Sequence, residues 1–125
     1  MKKRHSSRAI KQAPPGYHCR GRIWLEHNGE TFLGFGRVVL LERINEHGSI
    51  SQAARSMEMS YKHAWDLLDS MNRQAGRPLV TTSKGGQGGG GAKLTTAGQK
   101  AIKDFARLQQ RFTSFMEQES KELGL

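Results

Sequence analysis

The residues with the most chemistry to offer stand together at Ser60, Tyr61, Lys62 and His63, with Trp65 and Asp66 one turn further on. Ser, Lys and His present donors that suit N7 and O6 of a base, or a phosphate oxygen. Tyr61 and Trp65 can pack on thymine methyls or deoxyribose. No Ser/His/Asp or Cys/His constellation accompanies them. Asp66 and Asp69 are spaced i, i+3, but the surrounding stretch offers no pocket, so no catalytic site is expected. Tyr17-His18-Cys19, with His5 and His27 nearby in sequence, has neither the count nor the spacing of a closed zinc site. Neither metal nor cofactor is expected.

Three helices position these side chains. Gly36 to His47 places Leu40, Leu41, Ile44 and His47 on one face, with Arg37, Glu42, Arg43 and Glu46 opposite. Gly48 supplies the positive φ that ends a helix. Ser51 is then expected to cap a short second helix, Gln52 to Met57, whose Ala53 and Ala54 permit close packing. Met59 is the apolar residue of the turn, and Ser60 caps the third helix, Tyr61 to Ala75, which stops at Gly76. Ala64, Leu67, Leu68, Met71 and Ala75 form its buried stripe. A short helix, a three-to-four-residue turn and a second helix have the dimensions of a helix-turn-helix, spanning 51–75. Its last helix fits a major groove. Ser51 and Gln52, at the start of the second helix, are placed to meet phosphate.

A basic ribbon follows over 79–94. Leu79–Ser83 and Ala92–Leu94 read as short strands, and the tip Gly85–Gly91 has six glycines in seven residues. The tip formally contains G-x-G-x-x-G, but a second strand follows where that fingerprint needs a helix. A wing is the better reading. Its backbone can approach a partner without side-chain clash, and Lys84, Gln87 and Lys93 can hold phosphates.

Asn28-Gly29 marks a two-residue type I′ turn in a hairpin over 22–35, with Leu25 expected to face Phe32 and Trp24 to face Leu33. Apolar groups on both faces demand a cover, from the helices or from a second subunit. A last helix, 97–122, is capped by Thr95 or Thr96. Ala101, Phe105, Leu108, Phe112 and Phe115 recur along it at 4, 3, 4, 3, a heptad seam that Ile102 and Met116 widen. At roughly 40 Å the helix is too long for a small domain to cover. Phe105, Leu108, Phe112, Phe115 and Met116 are therefore expected to pair with a second copy.

Across 125 residues there are 20 Lys and Arg against 11 Asp and Glu, a formal charge of +9. That balance favours a polyanionic partner. The charge is concentrated: residues 1–16 carry five bases and no acid, and Ser70 to Lys103 six bases and no acid. Residues 1–16 have almost nothing apolar to bury and end in Pro14-Pro15-Gly16, as a disordered basic tail does. Residues 17–125 form the folded domain. One cysteine excludes an intrachain disulfide, no apolar run approaches the roughly 20 residues of a membrane span, and no secretory signal follows the basic start. A cytoplasmic, nucleoid-associated location is expected.

Gly48-Ser-Ile-Ser-Gln-Ala-Ala54, Met59-Ser-Tyr-Lys-His-Ala-Trp-Asp66 and Gly85-Gly-Gln-Gly-Gly-Gly-Gly-Ala-Lys-Leu-Thr-Thr-Ala-Gly98 resemble the N-terminal DNA-binding domain of the molybdate-responsive ModE family, and more broadly the LysR-type winged helix. The resemblance spans roughly Gly36 to Ala106. It implies a homodimeric transcription regulator bound to double-stranded DNA, with the third helix in the major groove and the wing on the backbone. Dimerisation would run through the C-terminal helix and the N-terminal elements. It also implies a separate molybdate-binding module, which this sequence is expected to lack, and the N-terminal hairpin stands where the founding member has a helix. The expected architecture is mainly α with small β. Two other readings stay open: a nucleoid-type protein that coats DNA with little sequence preference, and an oxyanion sensor with its ligand at the dimer interface, beside Trp24 or Trp65.

Overall fold

The computed structural model describes residues 14–84 and 90–124. Chain order is β1 (Leu25–His27), β2 (Glu30–Leu33), α1 (Phe35–His47), α2 (Ile50–Ser56), α3 (Tyr61–Ala75), β3 (Val80–Ser83), β4 (Gly91–Leu94) and α4 (Thr96–Glu122). The two sheets are antiparallel hairpins, β1-β2 and β3-β4. A three-helix core with a two-stranded ribbon before the last helix is a winged helix-turn-helix. The expected basic tail and the tip residue Gln87 fall outside the described residues, apart from the tail's last positions, 14–16.

One apolar cluster ties the elements together. Leu33, Leu40, Leu41, Ile44, Leu68 and Met71 are its largest fully buried side chains. Leu79, Val80, Ala92 and Leu94 bring the base of the wing into the same cluster, and Ala101 and Phe105 bring in α4. Helix α1 is central: it packs on α2, β4, α4, α3 and β2.

The local signals act as their chemistry requires. Asn28 and Gly29 take positive φ (52° and 80°) between His27 and Glu30. Ser60 caps α3, its Oγ accepting from the His63 N–H at 3.0 Å. Gly48 and Gly76 end α1 and α3 in the left-handed region. Thr95, not Thr96, caps α4 through the Gly98 N–H.

Two expectations are corrected. The hairpin pairs Leu25 with Leu33, not with Phe32, because the register shifts by a bulge between Leu25 and Glu26. The bulge turns Leu33 into the core at 2% exposure and leaves Trp24 at 55%. Second, α2 starts earlier than expected. Ser49, not Ser51, is its cap, accepting from the Gln52 N–H at 3.1 Å. Capping at Ser49 places Ile50 inside the helix, where it is 5% exposed. The turn after α2 runs through Glu58, a non-glycine residue at φ 58°. It is closed by Met59 N–H on the Ala54 carbonyl and Glu58 N–H on the Arg55 carbonyl.

Residues 14–24 form no helix or strand, yet they are not loose. They run along the distal half of α4 as a strap. Cys19 N–H donates to Ser120 Oγ at 2.6 Å. Gly21 lies so close to the α4 side chains that a Cβ there would stand 3.2 Å from Phe112 and 3.8 Å from Met116 Sδ.

Candidate nucleic-acid interface

The buried side of α3 is set by Ala64, Leu68 and Met71. At about 100° per residue, Lys62, Asp66, Asp69 and Arg73 then share the opposite, solvent-facing stripe, with Tyr61 and Trp65 on the flank toward the wing. Tyr61 is 53% exposed and Trp65 39%. Lys62 Nζ donates to Asp66 Oδ2 at 3.0 Å, both side chains being largely open to solvent. His63 is exposed on the same first turn.

The wing stands beside this turn. Ser49, Ser51, Tyr61, Trp65, Thr82, Ser83 and Gly91 are among the residues lining a groove of about 360 Å³ between α2, α3 and the ribbon. Lys93 pairs with Thr81 in the β3-β4 register and is exposed, as is Lys84 just past β3. The ribbon is fixed at two points. Ala92 N–H donates to the Gly48 carbonyl at 2.9 Å, bonding β4 to the turn before α2. Leu79 N–H donates to Asn72 Oδ1 at 2.8 Å, bonding the start of the ribbon to α3. The wing and the exposed start of α3 therefore face the same side as one unit.

The sequence matches the family profile "Bacterial regulatory helix-turn-helix protein, lysR family" over residues 35–99, from the first residue of α1 into the first turn of α4. This chain belongs to that family. "Molybdenum-pterin-binding protein MopB" of Rhodobacter capsulatus is 40% identical over 107 residues, covering 86% of this chain and 39% of its own length. "Molybdenum transport protein ModE" of Azotobacter vinelandii is 38% identical over 103 residues, covering 82% of this chain and 38% of its own. "DNA-binding transcriptional dual regulator ModE" of Escherichia coli K12 is 45% identical over 78 residues, covering 60% and 30%. The chain thus spans less than two fifths of the length of these relatives. The crystal structure of ArgP from Mycobacterium tuberculosis aligns with 66% of this chain and 30% of that one, at 21% identity and a TM-score of 0.46.

In this lysR-family unit the residues singled out from sequence divide into groups. Tyr61 and Trp65 share the groove with Ser51, while Lys62 and His63 on the first turn of α3 and Lys93 on β4 are exposed. Ser60 also belongs there, but its oxygen already accepts the cap hydrogen bond. Gln52 is exposed, and its N–H is the one that Ser49 holds. Gln87 is outside the described residues. Among the described residues no group of three His, Cys, Asp or Glu side chains could hold a metal ion, and no helix is long and apolar enough to cross a membrane.

The seam of α4 also divides. Phe105, counted with the pairing residues from its spacing, is 4% exposed in the chain's own core and is not open to a partner. Phe112 and Met116 lie partly under the strap. Leu108 and Phe115 are free, at 37% and 57% exposure.

Spacing did not reveal what holds the last turns of α3. Glu30, beside the hairpin turn, receives both guanidinium nitrogens of Arg73, at 3.1 and 3.4 Å. Ser70, buried at 8%, donates to Glu30 and accepts from Arg37. Gln74 donates to Ser70 and to the Thr31 carbonyl. The Arg73 hydrogen bonds hold the Glu30 carboxyl below the usual glutamate range, helped by the charges of Arg73 and Arg37 and by Ser70, against a smaller effect of burial. Burial in turn lowers Arg37. A serine at the edge of a helix's apolar stripe is the available signal for such a network.

Proposed function

We propose that this chain is the DNA-binding part of a ModE-like transcription regulator. The observation that carries this reading is the union of the two contact elements. The exposed first turn of α3 and the basic ribbon are held at a fixed separation by the Gly48–Ala92 and Asn72–Leu79 hydrogen bonds. Helix α3 enters the major groove, with Tyr61, Lys62, His63 and Trp65 at base edges and neighbouring sugars. Ser51, Gln52, Ser60, Lys84, Gln87 and Lys93 meet the backbone. The acting unit is a homodimer joined through Leu108, Phe115 and the flanking Phe112 and Met116, which sets two α3 helices at one spacing on a two-fold operator. It works in the cytoplasm, on the nucleoid.

Selection of bound fragments from genomic DNA tests this, followed by titration of the winning site against random duplex at fixed salt. A specificity ratio well above one is expected. A ratio near one would replace this reading by a DNA-coating protein. Replacing Lys62 by Ala weakens the selected site by about 1–3 kcal/mol if the ammonium reads a base.

The relatives named for molybdenum support a second layer, in which an oxyanion tunes binding. Molybdate titrated into the dimer while Trp24 and Trp65 fluorescence is followed tests whether this chain itself responds. A flat titration assigns any response to sequence outside it.

A further inference from the structure

The Lys62–Asp66 ion pair sits where a DNA-reading helix would be expected to keep its cation free. Both side chains are exposed, at 83% and 63%, and their 3.0 Å contact closes over one turn of α3. Asp69 is exposed on the same stripe, and Arg73 is held by Glu30. The outer stripe of α3 therefore presents no unpaired cation to a polyanion, in a chain of net charge +9. A carboxylate facing phosphates is repelled by them, so Asp66 opposes binding unless the duplex offers it hydrogen.

We propose that Asp66 is a base-selectivity residue, resting on the DNA-reading role given above. Off target, it keeps Lys62 paired and away from phosphates. On target, Lys62 turns to a guanine O6/N7 edge or a phosphate, and Asp66 accepts from a cytosine N4 amino group. The two residues are about 6 Å apart along the helix axis, so Asp66 reads a base one or two steps from the position under Lys62. A carboxylate accepts from that amino group and finds only acceptors on guanine or thymine in the major groove. The exchange is easy, because an exposed i, i+4 pair with the base N-terminal to the acid is weakly held. The penalty for a wrong base therefore falls on specificity more than on affinity.

The test compares wild type, Asp66→Asn, Asp66→Ala and the charge control Asp69→Asn. Each is used for selection from a random duplex library and for salt titrations on the selected site and on random DNA. Asp66→Ala is expected to bind random DNA more tightly, with a log–log salt slope steeper by about 0.9 as Lys62 gains a phosphate. It should lose preference at one or two base pairs, lowering the specificity ratio about tenfold or more. Asp66→Asn should move the preference toward adenine, which an amide reads in a bidentate manner. Identical base preferences in wild type and both Asp66 variants would overturn the proposal. So would an equal loss of preference in Asp69→Asn, which would reduce the effect to net charge. A wild-type protein that selects nothing would instead remove the sequence-reading function on which the proposal stands.

Discussion

Replacing Gly98 by Ala should destabilise this protein, although helix propensity alone says the opposite. Gly98 lies in the first turn of α4, where Ala would ordinarily gain at most about 1 kcal/mol. Its missing Cβ, however, is aimed at the Leu79 carbonyl. A methyl there would overlap the oxygen outright and stand 3.1 Å from both the Leu79 carbonyl carbon and Leu94 Cδ2. None of these can retreat easily. The Leu79 oxygen already accepts from the Thr95 N–H at 2.9 Å and from Thr95 Oγ1 at 3.2 Å, and Leu79 and Leu94 are 3% and 5% exposed. Overpacking costs about 1–3 kcal/mol, and disturbing the Thr95 cap about 1 more. Against the propensity gain, the net loss is about 1–3 kcal/mol. For a domain of this size that lowers Tm by roughly 4–12 °C. Thermal unfolding followed by far-UV circular dichroism measures it. An unchanged or raised Tm would refute the overlap and leave propensity in control. Since the displaced atoms carry the base of the wing, the variant should also lose operator affinity under conditions where it remains folded.

Phe115→Glu should leave the fold intact, since the side chain is 57% exposed, and convert dimer to monomer in sedimentation velocity; an unchanged sedimentation coefficient would place the pairing face elsewhere. The depressed Glu30 carboxyl predicts a sign for acid sensitivity. Because its folded-state pKa lies below the unfolded one, its stabilisation is present above the unfolded value and is lost as pH falls through the folded value. Urea midpoints should therefore decline between about pH 5 and pH 3, and Glu30→Gln should flatten that decline while lowering the midpoint at pH 7.

Much of the architecture was legible because its signals are local. Asn28-Gly29, Gly48, Ser60 and Gly76 each fix a backbone conformation through their own side chain or its absence, so the third helix and the first hairpin could be placed from residue type. The corrections concern choices that local chemistry leaves nearly balanced. Ser49 and Ser51 are both competent caps; burial of Ile50 favours Ser49, and Ser49-x-x-Gln52 also matches the spacing of a capping box. The bulge at Leu25/Glu26 depends on which apolar residue the core accepts. The candidate interface was legible as a set of side chains opening α3. The Gly48–Ala92 bond that fixes the wing is main chain to main chain and has no residue signature. The strap was hidden for a related reason: Gly21 contributes by lacking a side chain, and its neighbours Phe112 and Met116 lie far away in sequence.

That strap bears on how the protein is made. Its hydrogen bond joins Cys19 to Ser120, 101 positions apart, whereas the turns and helical caps close over three or four. On a ribosome the helix-turn-helix core can gather as it emerges, but the strap has nothing to lie on until the final turns of α4 have been synthesised. Contacts of such long range form slowly. In the interval Phe112 and Met116 remain uncovered on nascent chains, beside Phe115, and this apolar patch is open to its neighbours on the same message. Closing the strap is thus a late step of folding, and it covers apolar surface on which newly made chains would otherwise associate.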